Sequence, residues 1–176
     1  MKCHGFLKMP FDGMMPFDRL GTRLKTDVVS EKKYSDRILE TLRKYHNRAI
    51  ETAQVIEELI ALAKEMEADL AAGEQLGLNP DEIAFYRALV QNESAVRELG
   101  DDKLRELAVY VTEQLRKSTT VDWQVRDSVR AKLRNLVRRA LRRWKYPPDG
   151  ANEAIELCLK QAEALSQRWS AESSTA

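Results

Sequence analysis

Apolar residues recur at alternating spacings of four and three along the uninterrupted stretch from Ser30 to Ala72. The series is Ile38, Leu42, Tyr45, Ala49, Thr52, Ile56, Leu59, Ala63, Met66 and Leu70. An α-helix turns once per about 3.6 residues, so such a series forms a single stripe along one side of it. Neither proline nor glycine breaks the run. The pattern predicts one helix of about 40 residues, roughly 60 Å long at about 1.5 Å per residue. Ala49, Thr52 and Ala63 are too small or too polar for a self-sufficient coiled coil. This helix is therefore expected to be a spine against which shorter helices pack, with Ser30 as its N-cap.

The pattern breaks around 73–77, where Gly73 or Gly77 is expected in the left-handed position that ends a helix. Asn79-Pro80-Asp81-Glu82 then combines an N-cap, a proline at the first helical position and a Glu three residues after the cap. A short helix follows, with Ile83, Phe85, Tyr86, Leu89 and Val90 as its apolar face. Another runs from Glu93 to Leu99 and stops at Gly100. The next begins at Asp101 or Asp102 and carries Leu104, Leu107, Ala108, Val111 and Leu115. Asp122 is expected to cap a basic helix that places Val125, Val129, Leu133, Leu136, Ala140 and Trp144 on one side. Tyr146-Pro147-Pro148 must end it, because proline removes a donor and bars the residue before it from helix. A last helix is expected from Ala151 to Trp169, through Ala154, Ile155, Leu157, Cys158, Ala162 and Leu165.

No stretch alternates like a strand, and only 7 glycines occur in 176 residues. The fold class is all-α: a bundle of about five to six helices packed on one long N-terminal helix. Residues 1–27 read as an irregular leader, 28–169 as the helical domain and 170–176 as a frayed tail. In the leader, Met9-Pro10-Phe11-Asp12 is echoed by Met15-Pro16-Phe17-Asp18.

Net charge is +1, which by itself names no partner, but the distribution is uneven. Between Glu51 and Glu113 there are 15 acidic and 5 basic residues, a net of −10; between Trp123 and Tyr146 there are 9 basic residues against Asp127, a net of +8. Such polarity points to an internal electrostatic contact or to a basic face for a polyanion. Arg126, Arg130, Arg134, Arg138 and Arg142 step by four along one ridge, widened by Lys132, Arg139, Arg143 and Lys145. Two readings stand side by side: phosphate contact with DNA or RNA, and salt bridges to the acidic 51–113 region or to another subunit. Trp123 and Trp144 bracket the helix and are expected in the bundle core.

Chemistry is sparse. There is no G-x-x-x-x-G-K-[ST] and no HExxH, and His4 and His46 cannot furnish a metal cluster. Asp81-Glu82 is explained as first-turn carboxylates favoured by the helix dipole. Cys158 sits among Ile155, Leu157 and Leu159 as a small core residue. No catalytic, metal-binding or cofactor-binding residue is assigned. Cys3 and Cys158 make no disulfide framework, no apolar run approaches a membrane span, and a reduced, cytoplasmic setting is expected.

The run YHNRAIETAQVIEELI, from Tyr45 to Ile60, resembles the start of the helical C-terminal domain of type I restriction enzyme R subunits. Further collinear matches are Leu76-Gly77-Leu78, Ala84-Phe85-Tyr86-Arg87-Ala88-Leu89 and Asn92-Glu93-Ser94-Ala95-Val96. Val121-Asp122-Trp123, Val129 to Arg134, and Tyr146-Pro147-Pro148-Asp149 complete the set. The resemblance covers about Val28 to Leu165. It implies a non-catalytic adapter that docks the motor subunit on the methyltransferase core of a DNA restriction–modification complex, near the DNA path. ATP and Mg²⁺ belong to the nuclease and motor domains of the full subunit, whose motifs this chain lacks, so no cofactor is implied here. Residues 1–26 do not match what usually precedes the domain, which suggests a truncated gene or an upstream start. Exposed residues of the Arg48–Glu58 segment, with Arg48, Glu51 and Glu58 foremost, are the expected protein contacts. The arginine ridge is expected to meet duplex DNA or protein. The alternative is a free-standing nucleic-acid-binding protein using helix 123–146.

Overall fold

The computed structural model describes residues 27–118 and 127–173. They form six helices: α1 (Val28–His46), α2 (Thr52–Gln75), α3 (Pro80–Leu89), α4 (Glu93–Ser118), α5 (Asp127–Arg143) and α6 (Ala151–Ser173). No strand occurs among the described residues, and the all-α expectation holds. Residues 1–26 of the leader, together with Asp122, Trp123, Val125 and Arg126, lie outside them.

The core is built by α3 to α6. Phe85, Leu89, Leu104, Leu107, Val111, Leu115, Leu133, Val137, Leu159 and Leu165 are buried there almost completely. Each lies on the apolar face read from the sequence, apart from Val137, which replaces Leu136 at the centre of the α5 contact, and Leu159, which is buried more deeply than the expected Leu157. Burying large aliphatic side chains contributes about 1.5–3 kcal/mol each before entropy is counted. Asn79 closes the capping box at the start of α3: its Oδ1 accepts from the Asp81 and Glu82 amides at 3.0 Å each, and Glu82 accepts from the Asn79 amide at 2.8 Å. Gly100 divides α4 with φ 74° and ψ 168°. A Cβ there would meet nothing within 4 Å, so the demand for glycine is conformational, not steric. Gly77, at φ 70°, takes the left-handed position after α2. Gly73 instead lies inside the helix, where Ile83 of α3 packs against it.

The single long helix is not formed. The chain reverses between His46 and Thr52, and α1 and α2 lie antiparallel, as the pairs Lys33–Asp69, Arg37–Glu65 and Thr41–Glu58 show. The reversal needs neither glycine nor proline. Arg43, Lys44 and His46 fill the last turn of α1, where positive charge suits the helix dipole. Asn47 caps it, and Arg48 turns the backbone at φ 54°. Glu51 and Gln54 then form a reciprocal box at the start of α2. The heptad stripe survived this break because each arm of a hairpin keeps its own amphipathic face. Nor is Ser30 the N-cap: Asp27 is, its carboxylate accepting from the Ser30 amide at 3.1 Å and from the Ser30 hydroxyl at 2.8 Å.

The base of the hairpin sits on α3 and α6, with the Val28 amide donating to Gln161 Oε1 at 3.0 Å. Farther out its contacts thin, and no residue from 42 to 61 is buried. At the other end of the chain, α5 stops at Arg143, Lys145 adopts φ 56°, and the Tyr146 hydroxyl donates to the Leu89 carbonyl at 2.8 Å. The last helix continues to Ser173, past the expected end at Trp169.

Candidate interaction surfaces

Two surfaces stand out. The first is the outer half of the hairpin. Ile38, Leu39, Leu42 and Tyr45 on α1, with Ile56, Leu59 and Ile60 on α2, are all exposed. Five of these seven were read as seam residues of a packed spine; in the structure that seam is left uncovered. Arg48 and Glu51 lie at the tip beside Tyr45, and with Ile50 and Ala53 they border a shallow open depression. Glu51 also caps α2, so it has a structural task as well. Glu58 faces inward across the hairpin, accepting from the Thr41 hydroxyl at 2.6 Å.

The base of the hairpin is polar and charge-rich. Lys33 reaches Asp69 at 2.9 Å and Glu65 at 3.0 Å, and the Tyr34 hydroxyl donates to Asp69. Burial, helped by that bond to Asp69, pushes the Tyr34 phenol up to about 12. At Asp69 burial opposes ionisation, but the bonds from Tyr34 and Lys33 outweigh it and hold the carboxyl below its ordinary range. Glu65 is likewise lowered by the bonds from Lys33 and then Arg37. Groups with depressed folded values contribute stability above their unfolded values and lose it as pH falls through the folded ones. As pH falls below the ordinary carboxylate range the hairpin is therefore expected to loosen before the core. Amide NMR signals of α1 and α2 should broaden or shift ahead of those of α4. Simultaneous loss of both sets would refute this.

The second surface is the outer face of α5. Leu133, Val137, Ala140 and Leu141 face the core, which leaves the basic residues outside. Arg134 pairs with Glu156 of α6 at 2.7 Å. Among the described residues this is the only ion pair made by the ridge, and Glu156 lies outside the acidic 51–113 region. Among the described residues no ion pair joins the ridge to the 51–113 region: α5 packs on α4 and α6, while most of the acidic excess lies on α2 and α3. Arg138 and Arg139 both donate to Asn135, to its side-chain oxygen at 3.4 Å and its carbonyl at 3.3 Å. Arg143 lies over the Tyr110 and Trp144 rings, 5.4 and 5.1 Å from their centres. Trp144 packs against the core edge and tilts on Tyr110 at 4.8 Å. Arg130, Lys132 and Arg142 have no carboxylate partner among the described residues.

Sequence reasoning missed the buried polar joints. Arg87 spans Asp27, Ser30 and the Asp69 carbonyl. Asp81 was read only as a first-turn carboxylate, yet it is buried and accepts from the Trp169 indole at 2.7 Å and from Arg168. Arg87 and Asp27 stand 60 residues apart and Asp81 and Trp169 stand 88 apart, and no local signal links them. Cys158 is wholly buried, and burial alone pushes its thiol up to about 12, so it is a core residue rather than a nucleophile. No group of three or more His, Cys, Asp or Glu among the described residues is arranged to hold a metal. No helix of the described residues is long and apolar enough to cross a membrane.

The profile of the family described as "Type I restriction enzyme HindI endonuclease subunit-like, C-terminal" matches residues 17–168, starting inside the segment read as a leader. The chain is 44% identical over 142 residues to the "Type I restriction enzyme HindI endonuclease subunit" of Haemophilus influenzae, a match covering 81% of this chain and 14% of that relative. It is 29% identical over 124 residues to the "Putative type I restriction enzyme MjaIXP endonuclease subunit" of Methanocaldococcus jannaschii, covering 66% of this chain and 11% of that relative. The chain thus spans only a small fraction of the length of these relatives. No solved structure matches it. The family match includes both surfaces.

Proposed function

The chain belongs to the type I restriction enzyme HindI endonuclease subunit-like C-terminal family, and from that premise we propose that it is a non-catalytic helical adapter. It docks the DNA-translocating and cleaving R subunit on the methyltransferase core of the complex, and the outer half of the α1–α2 hairpin is the docking surface. The observation that carries this reading is the group of seven exposed apolar side chains on a hairpin whose outer part buries nothing. Apolar groups gathered on one exposed element are characteristic of a surface that another protein covers. Arg48 and Glu51 supply a charged rim of the kind that sets orientation more than affinity. No residue of the chain is assigned a chemical step.

The test is co-purification of the full chain with the methyltransferase subunits of the same restriction system. The wild-type chain is expected to co-elute at moderate salt, because apolar burial is not screened. The double variant Ile56→Asp/Ile60→Asp is expected to lose association by at least about 100-fold. Its fold should be intact, since these side chains are 54% and 52% exposed. An unchanged helical signal and melting temperature would verify that. A wild-type chain that fails to associate, or a variant that associates equally well, would refute the docking surface.

A further inference from the structure

We infer that the outer face of α5 is a binding site for the phosphate backbone of duplex DNA, independent of base sequence and separate from the hairpin surface. The helix carries seven basic residues and one acid within Asp127–Arg143. Like charges one turn apart, as in Arg138/Arg142 and Arg139/Arg143, repel each other. The chain has acidic residues in surplus elsewhere, yet among the described residues only Glu156 of another helix pairs with this face to relieve the repulsion. A polyanion relieves all of it at once and releases its own counterions.

Geometry narrows the partner. Six of the seven are arginines, whose planar forks suit phosphate oxygens better than a lysine point charge. Asn135 orients Arg138 and Arg139, and the Tyr110–Trp144 pair holds Arg143, so part of the ordering entropy is met before binding. Single-stranded nucleic acid is bound on open aromatic platforms. Here the two rings at the face lie against each other with Arg143 over both. A lipid surface would need the apolar side of the helix to insert, and that side is committed to the core through Leu133, Val137, Ala140 and Leu141. Duplex backbone remains, and the choice of DNA over RNA rests on the restriction-subunit reading above.

The experiment is fluorescence anisotropy of a labelled plain DNA duplex with the full chain and no methyltransferase subunit present, so that failed docking and failed DNA binding are told apart. Between ~50 and ~200 mM salt the wild-type affinity is expected to fall by about 100-fold, the loss for roughly four phosphate contacts. Arg138→Gln/Arg142→Gln and, on the other shoulder, Lys132→Gln/Arg139→Gln should each weaken binding at low salt by at least about 10-fold. Each should also lower the salt slope by about 2. Arg43→Gln/Lys44→Gln on α1 should change neither quantity. The two α5 variants alter different residues, so misfolding of one leaves the other to decide.

The inference is overturned if the wild-type chain does not bind, if binding ignores salt, or if both folded α5 variants bind as the wild type does. It is also overturned if duplex RNA or phosphatidylserine vesicles bind more tightly than the DNA. Loss of methyltransferase association by the α5 variants without any DNA binding would assign the face to protein instead.

Discussion

Arg87→Ala is expected to destabilise the attachment of the hairpin by about 3 kcal/mol while leaving the four-helix core in place. The guanidinium joins three helices. Nη1 donates to Asp27 Oδ2 at 2.5 Å and to the Ser30 hydroxyl at 2.8 Å, and Nη2 donates to the Asp69 carbonyl at 2.8 Å. The side chains of Arg87 and Asp27 are only 20% and 9% exposed. Removing the arginine strands a nearly buried carboxylate with Ser30 as its remaining partner, and that desolvation cost dominates the loss. The core contacts of Phe85, Leu104 and Leu107 do not involve this joint. Hydrogen exchange should therefore show about 100-fold less protection across α1 and α2, with α4 and the buried turns of α5 unchanged. Arg87→Lys should recover only part, because one ammonium cannot span three acceptors on two other helices. Uniform loss of protection over all six helices would mean that the hairpin and core are one cooperative unit, and the prediction would fail.

What the sequence revealed and what it hid divide along physical lines. Asn79-Pro80-Asp81-Glu82, Gly100 and Tyr146-Pro147-Pro148 were legible because each acts on its own backbone: a cap, a backbone angle denied to other residues, a missing donor. The buried positions of α3 to α6 were legible for a related reason, since a stripe of Leu and Val has one way to face inward. The turn at 47–51 was hidden because nothing in it forbids helix. Its signs are the basic last turn of α1, Asn47, and the Glu51–Gln54 box, each individually compatible with a continuing helix. Periodicity also cannot say what covers a stripe. Ile38, Leu42, Tyr45, Ile56 and Leu59 have the spacing of core residues, and the fold leaves them outside. The same limit applies to the basic ridge. Its spacing was plain, but which carboxylates its arginines met depended on how the helices pack, and among the described residues that packing pairs the ridge with Glu156 of α6. Arg87–Asp27 and Asp81–Trp169 were illegible altogether, because ordinary helix-cap and surface residues become buried partners only after the helices assemble.

The local breakdown expected from Arg87→Ala has its counterpart at Phe85, where loss is expected to be global. Phe85 is wholly buried at the middle of α3, and its ring stacks against Trp169 of α6 with centres 6.3 Å apart and planes 19° from parallel. The helix around it is the junction of the fold: α3 packs on α4 and α6 and receives the base of the hairpin. Phe85→Ala removes the ring and leaves a cavity between helices whose backbones are pinned by Gly100, by the Tyr146–Leu89 bond and by Asp81–Trp169. Collapse is thus limited, and the expected cost is about 4 kcal/mol, lowering the melting temperature by about 10 °C. Protection should fall in every helix, and Trp169 emission should shift to the red in the native baseline as its stacking partner is replaced by a void. A fall of less than about 3 °C would show that α3 and α6 can close the gap and that Phe85 is not the centre of the core. The hairpin tip is untouched by this change. At low temperature, where the variant remains folded, association through Ile56, Leu59 and Ile60 should persist. On warming it should disappear together with the fold, in contrast to Ile56→Asp/Ile60→Asp, which removes association at every temperature without unfolding the chain.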